Sequence, residues 1–309
     1  MSATNDDVVK KFQRADAAVA DLKTNGGYLN PMQFDTFIRE VGRGTDMMPA
    51  IRMETLTKPE MNLDKIGIGS RLFHKATSMQ ALDPAKRAKP LFGQVKLTTS
   101  EIIGSTYLGY DLLEDSIERG NLSQTVMALI IRKAQEDLEE LCLLGDTTSS
   151  DDLLSTFDGW LKLATGHTVA YGSATDVTKT VFRDGLLAMP SKYLRNRQNM
   201  SHFIGPHSEI MYADSLTGRN TQLGDSKIVG TWQGNYAQGV PVRPVSVMPE
   251  TTGLFGDPKN LICGVWRNVM IETAKDIEAR IYKIVITMRV GVAIEEKDAL
   301  VKYTGLKNV

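Results

Sequence analysis

Cysteine is nearly missing: Cys142 and Cys263 are the only 2 among 309 residues. A disulfide framework or a Cys-rich zinc site is thereby excluded as an organising principle. Both sit among apolar neighbours (Leu141 and Leu143; Ile262 and Val265), so they read as small buried hydrophobes. Long apolar runs are also missing; none approaches the roughly 18 residues of a transmembrane helix. The polar start MSATNDD has no apolar core of a secretory signal, so assembly or residence in a cytoplasm is expected. Charge of one sign is lacking: 36 Lys and Arg face 37 Asp and Glu, for a net charge of -1. That balance argues against a dedicated, strongly basic nucleic-acid binder. Hydrophobic residues at 42% and charged residues at 24% are ordinary globular values.

Catalytic patterns are equally scarce. Of the 4 histidines, His202 and His207 straddle Gly205-Pro206, which breaks the helical register that a zinc-binding pair requires. No phosphate-loop or dinucleotide glycine motif occurs; GIGS at 67–70 lacks both a further glycine and a following helix. Gly224-Asp225-Ser226-Lys227 has the form of an esterase nucleophile block, yet no histidine lies downstream of it, and a polar turn is the better reading. A hydrolase using Ser226 is a distant alternative. Glu295, Glu296 and Asp298 read as a solvated strand end, and Trp160, Trp232 and Trp266 as core or interface anchors. No catalytic residue, cofactor or metal site is assigned.

What is present is an α+β pattern without βαβ rhythm. Val8, Phe12, Ala15, Val19 and Leu22 recur at helical spacing, and Asn30-Pro31 opens a second short helix closed by Gly42 and Gly44. A strand with Ile51, Met53 and Leu56 inward follows. The strongest helix is NLSQTVMALIIRKAQEDLEELCLLGD, with Leu122, Val126, Leu129, Ile130, Ala134, Leu138 and Leu141 on one face and Gly145 as its stop. Its other face, including Glu136, Asp137, Glu139 and Glu140, reads as solvated. A further helix is expected over 181–195, kinked at Pro190, then a buried strand at MSHFIGP running into a helix from Pro206. GVPVRPVSVMP, KNLICGVWRNVMIE and EARIYKIVITMRVGVAIEE read as strands.

Between two strand-like runs lies RLFHKATSMQALDPAKRAKPLFGQVKL, where Arg71, Lys75, Lys86, Arg87, Lys89 and Lys96 stand against Asp83 alone. Residues 57–98 read as one long hairpin, with Gly67, Gly69, Gly93 and, beyond it, Gly104 suggesting bulges or bends. Limbs of about 17 residues would carry the tip more than about 50 Å from the root. An isolated two-stranded ribbon is marginal in water, so such an arm orders chiefly against another surface. A protein partner is preferred over nucleic acid, because only Phe73 and Phe92 interleave the basic residues.

The ordered set of an N-terminal arm, this hairpin, YDLLEDS (110–116), the helix ending in Leu143-Leu144-Gly145-Asp146, then Phe157-Asp158-Gly159-Trp160, LFGDPKNLICGVWRNVMIE and RVGVAIEEKDALVKYTGL resembles the major capsid proteins of tailed bacteriophages, the Hong Kong 97 fold. The resemblance implies an arm (1–44), an E-loop with its flanking strands (45–100), a peripheral domain with a spine helix (101–155), an axial domain (156–264) and returning C-terminal strands (265–309). It implies self-assembly into hexamers and pentamers of an icosahedral shell around double-stranded DNA, in a virion assembled in the host cytoplasm. Arg71, Phe73, Lys75, Lys86, Arg87, Lys89 and Phe92 become candidate intersubunit contacts, and Gly67, Gly69 and Gly93 candidate hinges. Lys75, Lys86 and Lys89 stand where one branch of the family carries a crosslinking lysine, but nothing marks its partner asparagine, and no crosslink is expected. The absence of a long helical extension ahead of the arm points to a separate scaffolding protein, or none; portal and decoration proteins are the other expected partners, DNA is touched non-specifically, and no membrane is involved. An encapsulin-like compartment is the alternative on the same fold.

Overall fold

A computed structural model describes residues 46–68, 71–75, 83, 87–109, 122–217, 234–266 and 270–307. The expected arm helices and Ser226 lie outside the described residues, as do Gly69, Lys86 and Trp232. Among the described residues the chain builds two sheets and a separate two-stranded hairpin.

The first sheet is organised by β12 (Ile281–Ile294), the longest strand, whose 14 residues serve as its spine. One edge of β12 is covered by β4 (Ser100–Gly109), antiparallel from Ile281↔Gly109 to Val290↔Ser100. The other edge is shared in sequence by β11 (Met270–Asp276) and β10 (Leu261–Trp266), and β1 (Arg52–Leu56) adds to β10 in parallel. Against this sheet lies α1 (Leu122–Leu144), about 34 Å long at 1.5 Å per residue. Its buried Leu138, Cys142 and Leu143 meet Ile284, Ile286, Met288 and Val290.

The turn leaving α1 depends on two glycines. Gly159 N–H donates to Gly145 O at 2.7 Å. A Cβ on Gly159 would come within 2.9 Å of Cys142 O, Leu143 O and Gly145 N, so only glycine allows this approach. The approach seats the one-turn helix α2 (Trp160–Leu163) under the sheet, where the buried Trp160 donates its indole N–H to Ala293 O at 3.3 Å.

The second sheet has six strands: β5 (His167–Thr175), β13 (Leu300–Leu306), β9 (Thr252–Gly256), β6 (Ser201–Ile204), β8 (Val240–Pro244) and β7 (Asn235–Ala237), in that spatial order. Alternation assigns its residues to two cores: Phe203, Leu254 and Leu300 face the core shared with α1, while Ile204, Phe255, Val301 and Tyr303 face α3 (Lys179–Ala188) and α4 (Pro206–Thr217). The helix expected over 181–195 stops at Ala188, because Met189, preceding Pro190, takes an extended backbone (ψ 134°). Glu250 caps α4, accepting from His207 N–H (3.1 Å) and Ser208 N–H (2.8 Å).

Candidate functional site: a projecting hairpin

Within the expected hairpin of residues 57–98, the described residues 60–68 and 90–98 pair as its two limbs. Strands β2 (Glu60–Ile68) and β3 (Pro90–Thr98) pair antiparallel from Glu60↔Thr98 to Ile68↔Pro90, and among the described residues no other strand joins them. The register is continuous. Bulges at Gly67 and Gly93 therefore do not occur, nor does one at Gly104, which pairs Ile286 in an unbroken ladder. The paired limbs are nine residues each, shorter than the expected limbs, and span about 27 Å at a strand rise of about 3.4 Å.

The hairpin is anchored at one end and unsupported at the other. At the root, Leu97 is fully buried with Leu56, Ile262 and Ala293, and Met61, Leu63 and Val95 pack on that cluster. Thr99 closes the base, donating from its backbone N–H (3.0 Å) and its hydroxyl (2.8 Å) to Pro59 O. Glu295 and Glu296 are not a merely solvated strand end: Arg52 meets Glu295 at 3.2 Å and Lys65 meets Glu296 at 3.4 Å, tying the hairpin's flank to the end of β12. Past Lys65 the support ends. Ile66 and Phe92 face each other across the ladder yet are 73% and 75% exposed, and Leu91 on the opposite face is 61% exposed. Beyond the ladder, Phe73 is 84% exposed, flanked by exposed Arg71 and Lys75, and Arg87 and Lys89 are exposed on the returning limb. Large apolar side chains are thus exposed on both faces of the distal hairpin, with exposed basic residues beyond the ladder. A ribbon of two strands cannot hide such surface by itself.

Neither Gly67 nor Gly93 is demanded by local geometry. Both lie outside the positive-φ glycines, and a Cβ at Gly67 would meet nothing within 4 Å, at Gly93 only Lys65 Cβ at 3.8 Å.

A second apolar surface lies elsewhere on the subunit. A groove of about 480 Å³ runs between α1 and strands β4 and β12, walled by Ile102, Ile130, Leu138, Ile284 and Met288. Leu129 and Ile103 at its rim are 61% and 73% exposed; Leu129, expected on the buried face of α1, instead borders this opening. Conversely Glu139, expected on the solvated face, is 3% exposed and accepts from Met47 N–H at 2.6 Å. Burial raises its pKa, and backbone donors at Asp46, Met47 and Met48 partly offset that. The reason is tertiary: the 46–50 turn folds over that flank of α1, held also by Asp46 accepting from Ser246 N–H at 2.9 Å.

Catalytic geometry is not found among the described residues, where no group of three metal-ligating side chains forms. His202 lies in the second core, its ring 4.4 Å from that of Phe255, with Nδ1 3.0 Å from Tyr303 Oη. Burial pushes its pKa down to about 3. Cys142 and Cys263 are buried, with sulfurs 3.8 Å apart; their contact and their burial raise the Cys142 pKa, the opposite of an activated thiol.

Comparison with known proteins accords with this architecture. The chain is 34% identical to YqbE of Bacillus subtilis (strain 168), named as a prophage capsid protein, over 98% of this chain and 99% of that one. Its fold is similar to a chain of the satellite phage P4 procapsid including size determination (Sid) protein (TM-score 0.70, 13% identity, 98% of both chains). It is similar also to the capsid of the native GTA particle (TM-score 0.58, 14% identity, 85% of this chain and 90% of that one). The holo-SrpI encapsulin of Synechococcus elongatus PCC 7942 shares the fold (TM-score 0.57, 11% identity, 84% and 86%). Residues 26–305 match the phage capsid family. With the Hong Kong 97-type fold in place, the family match over residues 26–305 and the 34% identity to a capsid relative show that the chain belongs to the phage capsid family, a family of structural shell proteins and not of enzymes.

Proposed function

We propose that this chain is the major capsid subunit of a tailed phage or prophage, closing into hexamers and pentamers of an icosahedral shell around double-stranded DNA. The single observation that carries the assembly mode is the unsupported distal hairpin, apolar on both faces. In this reading residues 57–98 are the E-loop, α1 is the spine of the peripheral domain, and the six-stranded sheet with α3 and α4 is the axial domain. The distal hairpin lies on a neighbouring copy, where Ile66, Leu91, Phe92 and Phe73 cover apolar surface such as the groove beside α1. The flanking Arg71, Lys75, Lys86, Arg87 and Lys89 supply orientation at its edges. Each contact is modest, and repetition around a closed shell makes the set multivalent. Gly67, Gly69 and Gly93 are read as points where the shaft bends between five-fold and six-fold surroundings; the open space around Gly67 and Gly93 is compatible with that. A separate scaffolding protein, a portal and decoration proteins are the proposed partners.

Electron microscopy of the expressed full chain tests the assignment, with closed shells expected. Phe92→Asp should leave a folded subunit that no longer assembles. A disulfide engineered between the paired positions 67 and 91 should block shell expansion. A compact monomer at high concentration, with the amides of 60–68 and 90–98 protected from exchange, overturns the proposal. Shells filled with protein and free of nucleic acid would favour the encapsulin-like reading instead.

A further inference from the structure

The crowding absent at Gly67 and Gly93 occurs at the hairpin's root. Gly264 on β10 and Gly291 on β12 are direct cross-strand partners, both buried and neither at positive φ, so space and not backbone conformation requires glycine there. A Cβ on Gly264 would lie 2.5 Å from Leu56 Cδ1 and 2.6 Å from Leu97 Cδ2, the side chains that wedge the hairpin into the body. A Cβ on Gly291 would foul the backbone itself, at Thr98 O, Thr98 C (2.9 Å) and Thr99 Cα (3.1 Å). Thr99 is the corner where the chain leaves β3 and enters β4, whose first residue Ser100 pairs Val290, immediately before Gly291. The paired glycines therefore form a socket into which the corner of the hairpin sinks.

We propose that Gly264 and Gly291 are positioning residues for assembly: the depth of their socket sets the angle at which the hairpin leaves the body, and hence the geometry of the shell. Filling the socket lifts Thr98 and Leu97 while β2 and β3 keep their own ladder, so a small displacement at the root is multiplied along the ladder's length. A bend in the shaft at Gly67 acts on only the last residues of the ladder; a change in the socket re-aims the whole hairpin. The inference rests on the assembly reading above, and the wild-type protein serves as its control: absence of shells from wild type would refute that reading, not this one.

The experiment places spin labels on the full-length chain at Leu91→Cys on the hairpin and Lys259→Cys on the body, both exposed, while the native thiols are buried. Interlabel distances are measured in dilute, unassembled subunits, and shell size is read by electron microscopy in unlabelled protein. Gly291→Ala should shift the interlabel distance by several Å or broaden its distribution, and convert uniform shells into open or mis-sized ones, while Gly172→Ala on β5, where an added Cβ meets nothing within 4 Å, changes neither. Gly264→Ala should act in the same direction and be rescued by Leu56→Val together with Leu97→Val, which remove the two methyls it collides with; the interlabel distance in folded subunits, which a loss of stability alone would not move, separates a re-aimed hairpin from a weakened core. The Gly264→Ala arm decides the matter if Gly291→Ala does not fold. An unchanged distance, normal shells despite a shifted one, or failure of the paired Leu56→Val and Leu97→Val truncations to rescue Gly264→Ala would each overturn the proposal.

Discussion

At the scale of single residues, the least replaceable positions are those that close space. Gly159→Ala should destabilise the subunit by about 2 kcal/mol or more, because the added methyl meets three backbone atoms that cannot swing away; denaturant titration checks this. His202 makes a pH prediction. Its folded pKa lies near 3, below the ordinary 6.5, so the unfolded chain binds the proton first. Its contribution to stability is present above about pH 6.5 and is lost as the pH falls toward 3, by up to ~1.4 kcal/mol per pH unit in that window. Glu139 acts with the opposite sign: its pKa is raised on folding, so its share is lost as pH rises through the raised value and partly offsets His202 on acidification. His202→Phe should flatten the acid slope of the melting temperature, yet cost roughly 1 to 2 kcal/mol at neutral pH because Tyr303 Oη loses its partner. An unchanged slope would remove His202 as the cause.

Among elements, root and tip of the hairpin should separate cleanly. Leu97→Ala empties a fully buried site and should cost about 2 to 4 kcal/mol of subunit stability, whereas Phe92→Ala should fall within about 0.5 kcal/mol of wild type and be felt only in assembly. Calorimetry of unassembled subunits beside particle yield distinguishes the two. Much at this scale was legible in the sequence. The long helix α1 announces itself by apolar recurrence and Gly145, the hairpin by two strand-like runs around an unpatterned basic tract, and β12 by sustained alternation. What was illegible depended on residues far apart in the chain. Glu139 looks like its charged helical neighbours until Met47, 92 positions away, covers it. Glu296 gains a partner only because Lys65 arrives from the hairpin. Gly264 and Gly291 look like ordinary strand glycines, and only the register of β10 on β12 makes them one socket. The limb length was overread because nothing in an apolar-basic segment marks where pairing ends.

For the whole molecule, exposure of the apolar tip and its fringe of cations predicts two distinguishable contributions to association. Lys75→Glu with Lys89→Glu should slow assembly roughly tenfold at low salt and remove most of its salt dependence, since charges on the rim act chiefly on encounter rates. Phe92→Asp should abolish particles at any ionic strength; light scattering across a salt series separates the two. The strand order carries another consequence. The first sheet cannot form its central ladders until β12 exists, and in the second β13 lies between β5 and β9, so neither sheet is complete without residues 281–306. Pairings this distant in sequence are slow to form and come late in synthesis. A chain still emerging from the ribosome accordingly holds a hairpin with no platform beneath it. On the proposed role of the hairpin, the ability to recruit neighbours should be withheld until residues 281–306 have been made, which would keep subunits lacking them out of growing particles.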